Sequence, residues 1–306
     1  MVGTLPRIQR AHDRRTDVVP FVFSLLALFQ TGAELHSLRA VVADSKGAPI
    51  RDLTTSDVSL LRGGATVTIE RFEKDERPLD LALLIDSSEP ASTHYRLQIV
   101  DAAKAFIASL PSNTRISVWT TGDRPSKIVD KADLAEGATG REISSKLERV
   151  FPTGGNTILD ALVEASADLV KAEGERRIIA FISCEGTGFA NDSRESVVDR
   201  VRKTGVEVMG ALIAEGRDSS GGDVSSQDYD YVFAALAEST GGRLERPLSS
   251  MAARVAMARV AADLRSTYRL AYFQTEGARQ SRVALEVARP AVKVRLSAPR
   301  KETSSP

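Results

Sequence analysis

Short apolar runs alternate with amphipathic segments along most of the chain, and this alternation predicts a layered fold of strands and helices. Residues 81–85 form one unbroken apolar run and residues 178–182 form another. Runs of this kind suit strands that are buried on both faces of a parallel sheet. In residues 91–110, apolar residues recur at helical spacing at Leu97, Val100, Ala103, Ile107 and Leu110. We therefore predict an α/β fold with a doubly wound, mostly parallel sheet.

The two ends of the chain carry a different pattern. Apolar and polar residues alternate within residues 35–72 and again within residues 268–296, as expected for antiparallel strands. The domains that follow from these patterns are an N-terminal β module at residues 34–78, an α/β domain at 79–247, a C-terminal helix and antiparallel strands at 248–298, and a disordered tail at 299–306. We expect the C-terminal strands to join the β module, because chain ends often lie close together.

Residues 1–33 resemble an export signal. Several arginines precede an apolar run at residues 18–29, and small residues follow at positions 31–33. That order is typical of a secretory signal peptide, and the run is shorter than the roughly 20 residues that a membrane-spanning helix needs. Asp13 and Asp17 are atypical of a signal, so a buried N-terminal strand or helix remains the alternative. We expect an exported, periplasmic or extracellular protein without a membrane span in its mature chain.

Composition narrows the function classes. The chain has 41 basic and 41 acidic residues, and this zero net charge argues against nucleic acid as a partner. The one cysteine, Cys184, excludes internal disulfides and cysteine-built metal sites, and the three histidines are scattered. The sequence lacks the common short motifs of hydrolases and nucleotide-binding enzymes.

A group of oxygen donors follows the first buried strand. Asp86, Ser87 and Ser88 come directly after the apolar run at residues 81–85. Open α/β sheets bind ligands at the carboxyl ends of their strands. Carboxylate and hydroxyl oxygens suit magnesium or calcium. The sequence thus suggests an oxygen-ligated cation site at this edge of the sheet.

Five short motifs occur in an order that resembles the von Willebrand factor type A family. They lie at residues 44–58, 83–88, 154–162, 236–242 and 264–272. The second includes the sequence Ile-Asp-Ser-Ser, the third Gly-Gly-Asn-Thr-Ile-Leu-Asp-Ala-Leu, and the fourth ends in Thr-Gly-Gly. The resemblance covers residues 38–296 and is strongest to the exported bacterial VWFA-related group first described from acidobacteria.

That resemblance implies a metal-ion-dependent adhesion site, but the ligand set is incomplete. Asp86 and Ser88 match the family's Asp-x-Ser-x-Ser motif, whereas Pro90 replaces the last serine. Asn156 stands at the family's threonine position, and Cys184 stands at its aspartate position and is followed by Glu185. The candidate metal ligands are therefore Asp86, Ser88, Asn156 and Glu185. A thiol is a poor ligand for a hard cation, so we expect a vestigial site with no cofactor or with weakly bound magnesium or calcium.

If the site is vestigial, its residues have structural roles. Asp86 would then accept backbone hydrogen bonds, and Ser88 would cap the following helix. Cys184 lies at the end of a strand, where a catalytic thiol is conceivable, but no nearby histidine is predicted and an inert buried residue is the simpler interpretation.

The family resemblance also implies a binding function. We expect a non-catalytic module that binds a protein partner through the face formed by Ser87, Glu89, Thr93, Thr157 and Thr187. One alternative is a metal-dependent binding module with an altered ligand set. The other is a Rossmann-like enzyme whose glycine pair at residues 154–155 cradles a nucleotide phosphate.

Overall fold

The computed structural model describes residue 1 and residues 33–172, 174, 176–185, 190–214, 224–274 and 282–302 of the 306-residue chain. Most of the predicted export signal at residues 1–33 lies outside these ranges, as does Thr187. Within them, no helix has the length and apolar character that crossing a membrane requires.

Strands from the N-terminal part of the chain precede the main sheet. In chain order they are β1 (Glu34–Ala43), β2 (Val58–Arg62), β3 (Ala65–Val67) and β4 (Arg71–Lys74).

A six-stranded sheet forms the centre of the fold. Its strands are β5 (Leu79–Ile85), β6 (Thr114–Thr121), β7 (Pro125–Asp133), β8 (Arg176–Cys184), β9 (Glu207–Ile213) and β10 (Leu244–Glu245). Their spatial order is β10-β9-β8-β5-β6-β7, and β7 is the one strand of this sheet that pairs antiparallel. Every residue of β5 is buried. The predicted mostly parallel α/β sheet is therefore confirmed.

Helices cover both faces of this sheet, which is why its central strands are continuously apolar. They are α1 (Ser92–His94), α2 (Val100–Ala108), α3 (Thr139–Glu148), α4 (Ile158–Val170), α5 (Arg194–Thr204), α6 (Val224–Thr240) and α7 (Ala253–Leu264). Apolar residues of α2, α3 and α7 share one core cluster, and those of α4, α5 and α6 share the other. We predicted that helix α7 belongs with the C-terminal strands. In the structure it packs on α2 and β9 of the α/β domain.

The helix predicted over residues 91–110 is interrupted. A 3₁₀ turn (Glu89–Ala91), α1 and a π-helical turn (Tyr95–Ile99) precede α2. The wider π turn changes the angular spacing of side chains, so the simple helical periodicity does not hold there. Leu97, predicted on the buried face, is instead 83% exposed, whereas Tyr95 is buried.

The C-terminal strands share sheets with the N-terminal ones. They are β11 (Tyr268–Gln274), β12 (Val283–Val287), β13 (Lys293–Leu296) and β14 (Arg300–Lys301). Strand β1 pairs with β11, β13 and β14, and β11 also pairs with β4. Strand β12 pairs with β2, which also pairs with β3. We call the sheet of β1, β4, β11, β13 and β14 the terminal sheet.

One correction concerns the predicted disordered tail at residues 299–306. Arg300 and Lys301 form β14, and the Glu302 carboxylate lies 2.5 Å from the Arg269 guanidinium. Strand pairing and this ion pair together hold residues 300–302 in place, so the prediction was wrong for that part of the tail.

The terminal sheet lies against the amino-terminal edge of the central sheet, opposite Asp86. Arg39 of β1 forms a buried ion pair with Glu207, the first residue of β9, at 2.9 Å. Arg295 of β13 contacts Asp263, which is near the end of α7. The opposite edge, which carries the candidate site, is therefore formed by the loops that follow the strands.

Candidate functional site

Asp86 lies at the carboxyl edge of the central sheet with none of its surface exposed. Its Oδ1 accepts hydrogen bonds from the Ser88 backbone N–H at 2.9 Å and the Ser88 hydroxyl at 2.7 Å. Its Oδ2 accepts from Asn156 Nδ2 at 2.8 Å and the Cys184 backbone N–H at 2.9 Å. Both carboxylate oxygens are therefore bound by protein donors.

Burial and hydrogen bonding act on Asp86 in opposite directions. Burial raises the pKa of this carboxyl group above its usual value, and the hydrogen bonds from Ser88 and Cys184 oppose the rise. The same burial, together with the nearby Asp86 charge, raises the pKa of Tyr95. The site is thus an enclosed polar cluster with little access to water.

Asn156 turns its amide nitrogen, and not its oxygen, toward Asp86. Its Oδ1 accepts from the Ile158 backbone N–H at 3.1 Å and from the Thr121 hydroxyl at 2.9 Å. Because a backbone N–H can bond only to the oxygen of the amide, this contact fixes the side-chain orientation. Nδ2 then donates to Asp86 and, at 2.9 Å, to the Ser183 hydroxyl. Asn156 offers no oxygen to a cation beside Asp86.

The remaining candidate ligands are Ser88 and Glu185. Ser88 precedes the turn Glu89–Ala91, but its side chain makes no capping hydrogen bond, contrary to the sequence-based expectation. Its hydroxyl donates to Asp86 instead. Glu185 is buried, and its backbone N–H donates to the Ile213 carbonyl at 2.8 Å.

These residues do not fit a hard divalent cation. Magnesium and calcium need several free oxygen ligands around one point. Here one carboxylate is surrounded by N–H and O–H groups that point at it, and Cys184 and Pro90 supply no such oxygen. Across the described residues, no group of three or more His, Cys, Asp or Glu side chains is placed to hold a metal.

The glycine-rich loop at residues 151–156 is bonded to the segment after β5. The Thr153 N–H donates to the Ser87 carbonyl at 3.0 Å, and the Glu89 N–H donates to the Gly154 carbonyl at 2.9 Å. Gly154 has a φ of +70°, and a Cβ there would collide with the Asp123 side chain. Only glycine satisfies both conditions, so this residue fixes the loop against its neighbour.

The residues predicted to form the partner-binding face differ in their exposure. Glu89 and Thr93 are exposed, but Ser87 and Thr157 are only 4% and 6% exposed. The Thr157 hydroxyl donates to the Gly122 carbonyl at 3.1 Å. Ser87 and Thr157 thus hold the loops together and present almost no side-chain surface, which corrects the prediction for these two residues. Thr187 lies outside the described residues.

Several members of the polar cluster and one exposed aromatic residue were not predicted from the sequence. On either side of β5, Thr121 ends β6 and Ser183 is the next-to-last residue of β8, so the rule that selected Asp86 would have found them. Tyr229 donates to the Asn156 carbonyl at 2.8 Å, and no sequence signal marks it. Phe151, at the start of the glycine-rich loop, is 79% exposed.

Comparison with known families decides the class of this domain. Residues 79–220 match the family model described as von Willebrand factor type A domain. These residues are a von Willebrand factor type A domain. The match begins at β5 and includes the Asp86 cluster, the glycine-rich loop and helices α2 to α5.

Solved structures that are similar to this chain share little sequence identity with it. Proximal thread matrix protein 1 from the mussel byssus, solved with a zinc-occupied MIDAS motif, is 17% identical, with 67% of this chain and 50% of that chain covered and a TM-score of 0.49. Manganese-loaded TRAP protein from Plasmodium vivax is 13% identical, with coverages of 82% and 100% and a TM-score of 0.48. The pilus adhesin SpaC from Lactobacillus rhamnosus GG is 11% identical, with coverages of 83% and 44% and a TM-score of 0.48.

This chain thus spans half the length of the mussel protein. No curated protein matches it in sequence. The family assignment of the von Willebrand factor type A domain therefore rests on residues 79–220, and the chemistry of its edge rests on the contacts around Asp86.

Proposed function

We propose that this von Willebrand factor type A domain is a non-catalytic, metal-independent protein-binding module of an exported protein. The observation that carries the proposal is the saturation of Asp86. Its two oxygens accept four hydrogen bonds of 2.7–2.9 Å from Ser88, Asn156 and Cys184. A cation at this point would have to displace those donors.

Such a displacement is costly because the backbone and other hydrogen bonds hold these donors in place. Two of them are backbone N–H groups, of Ser88 and Cys184. Asn156 is fixed by the bonds that its oxygen and its backbone carbonyl accept. A buried donor left without an acceptor costs about 1–3 kcal/mol. Magnesium also loses its water shell reluctantly, so the edge favours hydrogen bonds over an ion.

The exposed part of the same edge supports protein binding. Phe151, Glu89 and Thr93 are exposed, and the loop that begins at Phe151 is bonded to the segment after β5. Exposed aromatic side chains on a rigid backbone are typical anchors of protein interfaces. The proposed partner is therefore a protein with an apolar pocket for Phe151 and a polar rim.

The absence of catalysis is supported by the same hydrogen-bond network. Asp86, Ser88 and Asn156, which would be the reactive groups at a sheet edge, are bonded mainly to one another and to the backbone. Cys184, the one cysteine of the sequence, is buried. A nucleophile or base needs access to a substrate, and these groups face the interior.

A thermal melt tests the metal-independent part of the proposal. The chain is melted with chelator and then with millimolar magnesium, calcium or manganese. We expect no saturable rise in Tm, because a ligand stabilises a protein only if it binds the folded state. A saturable rise that disappears in Asp86→Asn and Glu185→Gln would establish the altered cation site and overturn metal independence.

Affinity capture in the presence of chelator tests the binding face. Wild type, Phe151→Ala and the control Leu248→Ala, which alters another exposed apolar residue, are compared on matched resins. We expect proteins that wild type and the control retain and that Phe151→Ala loses. Equal retention by all three would rule out this face.

Export is tested separately, by fractionating the native organism and determining the N-terminus of the mature chain by mass spectrometry.

A further inference from the structure

A second polar site lies far from Asp86, where the terminal sheet meets the amino-terminal edge of the central sheet. It is a cavity of about 220 Å³ between β1, β11 and β14 on one side and residues 77 and 177 on the other. Its cationic lining consists of Arg39, Arg77, Arg177, Arg269, Arg300 and Lys301. The lining includes one carboxylate, that of Glu302.

Four of these cations have acidic partners. Arg39 pairs with Glu207 at 2.9 Å, Arg77 with Asp75 at 2.7 Å, Arg269 with Glu302 at 2.5 Å and Lys301 with Glu34 at 2.6 Å. Asp75 is also 3.9 Å from Arg176, so this carboxylate is shared between two guanidinium groups. These four carboxylates therefore already neutralise cations of the cavity lining.

Within the described residues, Arg177 and Arg300 add positive charge that no carboxylate pairs with. The Arg177 guanidinium donates to neutral carbonyls, those of Gly174 and Ala172, both at 2.8 Å. For the Arg300 side chain, no hydrogen bond or ion pair is found among the residues that the structure describes. Burial and the neighbouring Arg39 charge lower the pKa of Arg300 to about 10. The described part of the cavity therefore holds an excess of about two positive charges.

We propose that this cavity binds a small oxyanion with two negative charges, of the phosphate or sulfate class. Guanidinium groups from different directions suit such a group, because each presents a planar fork of N–H donors to oxygen. The cavity has room for roughly seven waters at about 30 Å³ each, which accommodates one oxyanion with part of its hydration. A free ion and the terminal phosphate or sulfate of a larger molecule share this chemistry.

Binding would connect segments that are distant in the sequence. Arg39 lies on β1, Arg177 on β8 and Arg300 on β14. An anion between them would offset repulsion among like charges and hold the terminal sheet against the central sheet. The ligand would therefore stabilise the folded chain in proportion to its occupancy.

The test is a titration of the full chain with inorganic phosphate and with sulfate, at an ionic strength held constant with sodium chloride. Binding is measured by calorimetry and by Tm. The variant is Arg300→Gln, and the matched control is Arg141→Gln, which changes an exposed arginine that does not line the cavity. We expect saturable binding to wild type and to Arg141→Gln, and at least tenfold weaker binding to Arg300→Gln.

Without the anion, Arg300→Gln should melt in chloride at the same temperature as wild type or higher, because it removes a charge that lies among like charges. That result separates loss of binding from loss of folding. Equal effects of phosphate and chloride on wild type, or equal affinity in wild type and Arg300→Gln, would overturn the proposal. A third arm with a sugar phosphate identifies the source: a preference for it over inorganic phosphate supports the site and assigns it to the end of a larger ligand.

Discussion

Replacing Asp86 with alanine would remove the acceptor on which the polar cluster converges. The substitution leaves the backbone N–H groups of Ser88 and Cys184 and the side chains of Ser88 and Asn156 without their carboxylate. The Ser88 hydroxyl can rotate toward another partner, and Asn156 Nδ2 still donates to the Ser183 hydroxyl, but the two backbone donors cannot turn away. We therefore expect a large loss of stability even when no metal is present.

The magnitude follows from the two fixed donors. At about 1–3 kcal/mol for each buried donor without a partner, the loss is about 2–6 kcal/mol. Asp86→Asn keeps one oxygen and should lose about half of that. As a control, Asp101→Ala breaks an exposed ion pair with Arg254, a change that should cost no more than about 1 kcal/mol.

The assay is urea denaturation in chelator, with the free energy of unfolding compared among wild type, the two Asp86 variants and the control. A vacant cation site gives the opposite expectation, since removing a buried carboxylate that lacks its ion would leave stability unchanged or increase it. An Asp86→Ala protein within about 0.5 kcal/mol of wild type in chelator would refute the structural role of Asp86.

Three further predictions concern other parts of the chain. Burial alone would raise the pKa of Asp75, but Arg77 and Arg176 outweigh it and keep that pKa below its ordinary value. Asp75→Asn should therefore lower the free energy of unfolding at neutral pH, and this loss should become smaller as the pH falls below about 4. Denaturation measured across pH checks this. Gly154→Ala should destabilise more than Gly64→Ala in thermal melts, because both glycines have positive φ but only at Gly154 would a Cβ collide; equal effects would contradict this. Deleting residues 300–306 removes β14 and the Glu302 ion pairs, so Tm should fall measurably, and an unchanged Tm would show that this strand contributes little.

The central sheet was predictable because its signal is local. The central strands β5 and β8 each contain a continuous apolar run, and the position of Asp86 after the first run places it at the ligand-binding edge. Leu97 shows the limit of this approach. Its helical spacing predicts burial, but the π turn that exposes it depends on how Tyr95 packs against the core, and periodicity does not encode that.

The state of the candidate site was less predictable than its location. The sequence shows that Asn156 has an oxygen and a nitrogen, and the prediction used the oxygen. Which of them faces Asp86 is decided by the Ile158 N–H, two residues further along the chain, and by the Thr121 hydroxyl at the end of β6. The prediction that Ser87 and Thr157 lie on the surface was wrong for a similar reason, because hydrogen bonds between loops bury both residues.

The pairing of β1 with β14 has a mechanical consequence. His36 lies opposite Lys301 in an antiparallel pair, so residues 34 and 302 lie at the same end of the terminal sheet. Tension applied between them would open the pair one hydrogen bond at a time, as a zipper opens, and would not shear the strands. The terminal sheet would yield first under load, while the central sheet and its Asp86 edge remained folded.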